Sequence, residues 1–233
     1  MFHGKMKALT FSYDDGITQD RQMINILNRY GLKATFNLNS GLLGTPNLLI
    51  RQDMTIAHCK FRPVEVPRVY AGHEIAAHTL THPLLTQLSD EEVIRQVEED
   101  RLALSEIAGY EVVGMAYPGG GVNYDERVAR MIRENTGIRY ARTTVTSESF
   151  APETDLFMYR PSVYHLCGWD KLMEMGRQFL ELDAQTPQVF YIWGHAYEFD
   201  YEDSWKIFED FCRMMAGHDD IFYGTNREIL LGE

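Results

Sequence analysis

Val189-Phe190-Tyr191-Ile192-Trp193-Gly194-His195 carries five apolar residues in succession and then stops at a glycine and a histidine. A strand with one wet face alternates apolar and polar side chains, whereas a strand covered on both faces reads as an unbroken apolar run. The stretch is therefore predicted to be an interior strand of a mainly parallel sheet. Parallel neighbours are joined by long crossovers, usually helices. Amphipathic stretches at residues 169–182 and 204–215, one on each side, are of that kind.

The same alternation runs outward through the chain. Residues 7–13 read as a strand entering Asp14-Asp15-Gly16, with Thr18 placed to cap a helix striped by Met23, Leu27 and Tyr30 and stopped at Gly31. A strand at 34–39 precedes a long irregular segment, about 40–70, with Pro46, Pro63 and Pro67; loops of that length are usually functional or pack as a lid. Residues 72–77 form a strand that delivers His78. Ser89 with Glu92, and Asn123 with Glu126, read as capping boxes opening helices that reach about Ile107 and Ile132. Residues 112–117, 138–143, 158–161 and 221–223 read as extended. Seven or so β–α units favour a closed or nearly closed barrel, and no G-x-G-x-x-G follows the first strand. The expected fold class is α/β, a single domain over residues 1–233 with about seven parallel strands.

Bulk properties narrow the partners. With 233 residues and 45% hydrophobic content the chain can bury a large core, which excludes general disorder. A net charge of −12 argues against nucleic acid or an anionic membrane as the main partner, while leaving room for a locally basic pocket. Cys59, Cys167 and Cys212 are odd in number and widely spaced, so neither a disulfide framework nor a zinc ribbon is expected. The first residues lack the apolar core of a signal peptide, and no run approaches the ~20 apolar residues of a spanning helix. The expected location is cytoplasmic, or secreted if a leader has been removed.

His78-Thr79-Leu80-Thr81-His82-Pro83 places two imidazoles four residues apart. On a strand they would stand ~13 Å apart, too far to share an ion. On a helical turn the separation falls to ~6 Å, within reach of one ion at ~2.1 Å. The pair thus needs a backbone that curls at His78 and a third ligand from elsewhere. The bland alternative is a turn with two ordinary histidines. In α/β folds of this kind chemistry collects at the C-terminal ends of strands. Four such ends are unusual here: Asp14-Asp15-Gly16, His78 to His82, Tyr117-Pro118-Gly119-Gly120, and Trp193-Gly194-His195.

Together these four stretches resemble the motif set of the NodB-homology polysaccharide deacetylases, carbohydrate esterase family four. Thr10 to Gly16 resembles the first motif, His78 to Pro83 the second, Ala116 to Gly120 the third and Ile192 to His195 the last, in the family's order. The resemblance implies a distorted (β/α) barrel and a metal-dependent hydrolase that removes acetyl from an N-acetylated sugar or glycan. It implies that Asp15, His78 and His82 hold one divalent ion, zinc first, with iron, cobalt, nickel or manganese also suited to these donors. It gives Asp14 the role of general base and His195 that of general acid. Gly119 would contribute an oxyanion-binding N–H, with Tyr117, Pro118 and Trp193 forming the pocket.

The sequence departs from the family pattern at three places. Ala116 stands where an arginine is common, and Arg142 or Arg160 could supply that charge from a later strand. No clear Asp-Trp fourth motif occurs; Glu198 or Asp200 could orient His195 instead. Gly119 stands where many members carry tyrosine, which opens the pocket wall. Two other functions share the fold and the residues: hydrolysis of a small cyclic amide or ureide, and a catalytically silent glycan-binding module. A homodimer is conceivable, with Tyr197, Phe199 and Tyr201 lining either an interface or the pocket.

Overall fold

The computed structural model describes residues 2–51 and 54–233. Strand β1 (Lys7–Asp14) runs through its centre with every residue buried. One edge of β1 is filled along its length by a strand at Gln188–Gly194, pairing Lys7 with Gln188 through to Tyr13 with Gly194. The other edge is divided. Residues 7–9 pair with Ile221–Tyr223, and residues 11–14 with β2 (Ala34–Leu38).

Outward from β2 the sheet continues through a strand at Glu74–Ala77, another at Gly114–Ala116 and a third at Tyr140–Arg142; on the far side it ends at Val163–Tyr164. An antiparallel hairpin, β3 (Leu48–Arg51) and β4 (Met54–Ala57), lies outside this sheet. In chain order the sheet strands after the hairpin are β5 (Glu74–Ala77), β6 (Gly114–Ala116), β7 (Tyr140–Arg142), β8 (Val163–Tyr164), β9 (Gln188–Gly194) and β10 (Ile221–Tyr223). All pairings among the eight sheet strands are parallel. The apolar run that opens the sequence reading is β9, buried from Val189 to Gly194.

One short segment links the two ends of the sheet. Tyr159 N–H donates to Ala141 O at 3.0 Å, and Thr143 N–H donates to Tyr159 O at 2.8 Å, on the β7 side. Three residues on, Ser162 N–H donates to Tyr191 O at 2.8 Å, on β9. The fold is the distorted (β/α) barrel, with these bonds making the seam. Around it lie α1 (Asp20–Arg29), α2 (Val66–Val69), α3 (Asp90–Ala108), α4 (Glu126–Asn135), α5 (Trp169–Glu181), α6 (Glu198–Tyr201), α7 (Trp205–Met215) and α8 (Asn226–Leu230). Phe11, Phe36, Phe179, Phe190 and Phe208 are fully buried between sheet and helices. Each such ring contributes about 1.5–3 kcal/mol relative to exposure.

Several local expectations are corrected. Gln19, not Thr18, precedes α1, and it makes no capping bond; the Thr18 hydroxyl turns to the Gln19 side chain. Asp125 caps α4 by accepting from Val128 N–H at 2.8 Å, because the Asn123 amide is occupied by the carbonyls of Tyr117, Pro118 and Gly119. Ser89 does accept from Glu92 N–H, but Glu92's carboxylate faces Arg95 and Gln96, so the box closes on one side only. The segment at 40–70 is not structureless: it holds the hairpin and α2. Among the described residues no helix is long and apolar enough to cross a membrane.

Candidate active site

The C-terminal ends of β1, β5, β7 and β9 meet at one mouth of the barrel. At the end of β1 the backbone turns through two left-handed residues, Asp15 (φ 83°) and Gly16 (φ 64°), and Asp15 N–H donates to Asn37 O at 2.9 Å. A side chain at Gly16 would press on Leu38 Cγ at 2.9 Å, so only glycine fits this turn. At the end of β5 the expected helical turn is absent. Thr79 (φ 66°) and His82 (φ 62°) are both left-handed, and the Thr79 hydroxyl accepts from His82 N–H at 3.1 Å. This tight loop still brings the two imidazoles to 4.9 Å between ring centres. Buried Asp100, from α3, holds the loop by accepting from His78 N–H at 3.0 Å.

One ligand atom each from Asp15, His78 and His82 lies within 4.8 Å of the others. His78 is 1% exposed; its Nδ1–H donates to Ala116 O at 2.9 Å, which leaves Nε2 buried with no partner. Burial lowers the His78 pKa to about 4, so the ring is neutral and Nε2 offers a lone pair. An unpartnered buried nitrogen is costly unless something fills its lone pair. Two imidazoles and a carboxylate are a donor set that suits zinc and the other first-row divalent ions.

Asp14 sits beside this cluster, its Oδ2 4.0 Å from His78 Nε2 and 4.0 Å from His195 Nε2. Burial disfavours its charge, but Arg142 outweighs burial and holds the carboxyl below its ordinary value. Arg142 crosses from the end of β7, fully buried, to pair with both Asp14 oxygens at 2.5 Å, and its guanidinium lies 4.6 Å from the Trp193 ring centre. Asn37 donates to Asp14 as well, at 2.8 Å. Arg160 is elsewhere: it pairs with Glu153 at the surface. Tyr159 and Ser162 on either side of it are buried in the seam, while the Arg160 side chain is exposed.

His195 follows β9. Its Nδ1 lies 3.2 Å from Glu198 Oε1, and its backbone N–H donates to Glu198 Oε2 at 3.0 Å. Burial opposes a charge on His195, but the Glu198 carboxylate prevails and the pKa rises to about 9. Asp200 does not reach the site; it accepts from Gln19 and Trp205 at the surface. Tyr117 is a correction too: its ring stacks on Tyr124 and its hydroxyl donates to Phe157 O, away from the cleft. Pro118 is likewise not on the cleft wall, its carbonyl bound by Asn123. Of the three aromatics set aside for pocket or interface, Tyr197 lines the cleft, whereas Phe199 is core and Tyr201 packs against it.

The cleft has a volume of about 680 Å³ and is walled by Gly119, Trp193, Tyr197 and the hairpin side of residues 42–60. That side supplies two residues the sequence reading passed over. His58 Nε2 lies 3.0 Å from Asp15 Oδ2, and Lys60 Nζ donates to Asp15 O at 2.6 Å and lies 3.3 Å from Oδ1. The available signal was their spacing: two residues apart in an extended segment, they share a face. Asn37 carried no signal beyond being polar among apolar residues, and Asp100 none at all, standing in the charged run Glu98-Glu99-Asp100-Arg101.

A family model described as polysaccharide deacetylase matches residues 3–141. Peptidoglycan-N-acetylmuramic acid deacetylase PdaC of Bacillus subtilis is 30% identical over 124 residues, 53% of this chain and 23% of that protein. Peptidoglycan-N-acetylglucosamine deacetylase PgdA of Listeria monocytogenes is 26% identical over 147 residues, 62% of this chain and 27% of that protein. The chain thus matches about a quarter of the length of these relatives. Among solved structures, a probable polysaccharide deacetylase from Pseudomonas aeruginosa PAO1 superposes with a TM-score of 0.71 at 13% identity, covering 95% of this chain and 88% of that one. With the model spanning more than half of the residues, the chain belongs to the polysaccharide deacetylase family.

Proposed function

We propose that this chain hydrolyses an N-acetyl amide on a sugar or glycan, releasing acetate, with one divalent cation held by Asp15, His78 and His82. The observation that carries the reading is the convergence of that N₂O donor cluster with an Arg142-paired carboxylate and a Glu198-backed histidine at one cleft. Zinc is the first choice for these donors. A divalent cation held there would supply Lewis acidity, polarising the acyl carbonyl and acidifying water.

The chain's own residues divide the proton work. Asp14, kept ionised by Arg142, accepts the proton of the attacking water. His195, protonated at neutral pH, gives the Nε2 proton to the departing amine nitrogen. Gly119 lies on the cleft wall, and its N–H is the proposed donor to the oxyanion. Tyr197 and Trp193 line the cleft through the small part of each ring left exposed.

Two rival readings make different demands. A silent glycan-binding module has no use for an ionised base or a protonated histidine, and the pairs Asp14–Arg142 and Glu198–His195 keep both. A cyclic amide or ureide would use the same centre. A panel of N-acetylated sugars, chitooligomers, peptidoglycan fragments and cyclic ureides, scored for acetate and for ring opening, separates them. Acetate release that a chelator abolishes and zinc restores supports the proposal; ring opening alone, or turnover indifferent to chelator, overturns it.

A further inference from the structure

Behind His195 lies a polar cluster that the proton-transfer roles above leave unused. Four donors converge on the buried Glu198 carboxylate. Tyr164 O–H donates to Oε1, and His195 Nδ1 lies 3.2 Å from the same oxygen. His165 Nε2 lies 2.9 Å from Oε2, which also accepts from His195 backbone N–H at 3.0 Å. The two ring nitrogens face the carboxylate as charge contacts rather than as well-formed hydrogen bonds. A carboxylate has about four lone-pair directions, and a donor atom faces this one from four sides, two of them in hydrogen bonds. Behind His165, fully buried Tyr13 sits with its hydroxyl 2.7 Å from Nδ1.

Only one arrangement of protons satisfies the whole chain. The Tyr13 hydroxyl, 2.7 Å from a ring nitrogen, brings a proton to that contact, and burial favours the neutral form of His165. Ionised Glu198 accepts only, so His165 must carry its proton on Nε2, and its bare Nδ1 then accepts from Tyr13 O–H. Oε1 likewise requires a proton on His195 Nδ1. Nε2, which faces Asp14 at 4.0 Å, becomes the one His195 nitrogen free to lose and regain a proton.

We propose that His165, with Tyr164, is a positioning residue: it fixes the Glu198 carboxylate so that His195 keeps its Nδ1 proton and exchanges protons only at Nε2. His165 and Tyr164 close β8 and enter the loop that follows, so the device comes from the strand next to the one that carries His195. Contact between the two strand ends is close. A Cβ added at Gly194 would lie 2.5 Å from His165 Nδ1, so the imidazole rests directly on the β9 backbone. The inference rests on the hydrolase reading for its catalytic consequence, but the proton arrangement stands without it.

The test compares His165→Leu, His165→Gln and Tyr164→Phe in the full chain loaded with zinc. Glutamine can donate to Glu198 and accept from Tyr13, whereas leucine fills the space without either bond. Losing a hydrogen bond to a charged group should lower kcat about 10- to 100-fold in His165→Leu with KM nearly unchanged, and His165→Gln should recover most of it. Tyr164→Phe should lower kcat in the same sense. Imidazole ¹⁵N spectra give a readout independent of turnover: above about pH 9, where His195 has given up its second proton, wild type should show the neutral ring protonated at Nδ1, and His165→Leu a mixture of tautomers. Unchanged His195 resonances in His165→Leu overturn the inference, as does a His165→Gln variant no better than His165→Leu. Absence of acetate release in wild type with the expected spectra would count against the hydrolase reading alone.

Discussion

Arg142 shows what single residues here can and cannot announce. Its guanidinium is fully buried, and it is tolerated because Asp14 accepts it at both oxygens. Arg142→Met should therefore destabilise the fold by about 3–5 kcal/mol and remove activity, because Asp14 is left as an unpaired buried charge. Arg160→Met should change denaturant midpoint and turnover by less than about 1 kcal/mol, since it breaks only a surface pair. The sequence placed both arginines at strand ends and could not choose; Arg142, on β7, is buried inside the barrel, whereas Arg160, in the segment before β8, is exposed. Lys60 makes a further residue-scale case. Lys60→Met removes the cation that ties down Asp15 and should weaken zinc binding about 10- to 100-fold by calorimetry, while Arg62→Met, an exposed side chain paired with Glu65, should not.

Among the elements, α1 starts with a pH-sensitive weakness. Asp20 is fully buried, and burial lifts its carboxyl to about 8 even though Tyr70 O–H donates to it at 2.7 Å. The folded state therefore binds a proton that the unfolded state, with a carboxyl near 3.8, has released. Stability from this group is present at low pH and is lost as pH rises from about 4 to about 8, at up to ~1.4 kcal/mol per pH unit. Asp20→Asn keeps the shape and the Tyr70 contact without the titration. Its urea midpoint should equal that of wild type near pH 4 and exceed it at pH 8; parallel curves would rule the account out. Element by element, strand and helix identities were legible because apolar periodicity records burial. Caps were less so: Thr18 and Asn123 have the right chemistry, but carbonyls and neighbours outside their own helices claimed them. The hairpin at β3 and β4 was hidden for a related reason. It packs on only part of one face, so its sequence shows no clean alternation, and Leu48, Ile50 and Met54 remain exposed.

For the whole molecule, the parallel barrel and four of its functional strand ends could be read before any coordinates, since those ends interrupt apolar runs with residues no core would choose. The companions of those ends could not. His58, Lys60, Asp100 and His165 meet the site through loop paths and barrel closure, neither of which has a local signature. The family match at residues 3–141 stops short of β8 and β9, although His195 and its supporting cluster come from there. A variant shortened to the matched region should fail to fold, with circular dichroism and limited proteolysis reporting it, because β1 would lose its partner along one whole edge.

The divided edge of β1 has a kinetic side. Lys7 pairs with Gln188 on one edge and with Ile221 on the other, so the central strand is made early and completed only by residues about 180 and 210 positions further along. Loops of that length must close before the most buried strand is satisfied, which places this chain among the slow, high-contact-order folders. While a ribosome is still adding α5 and β9, an apolar strand with open hydrogen-bonding edges is already outside. Its best protection in that interval is β2, the one neighbour that arrives at once and covers residues 11–14, the half of β1 that leads directly into Asp15.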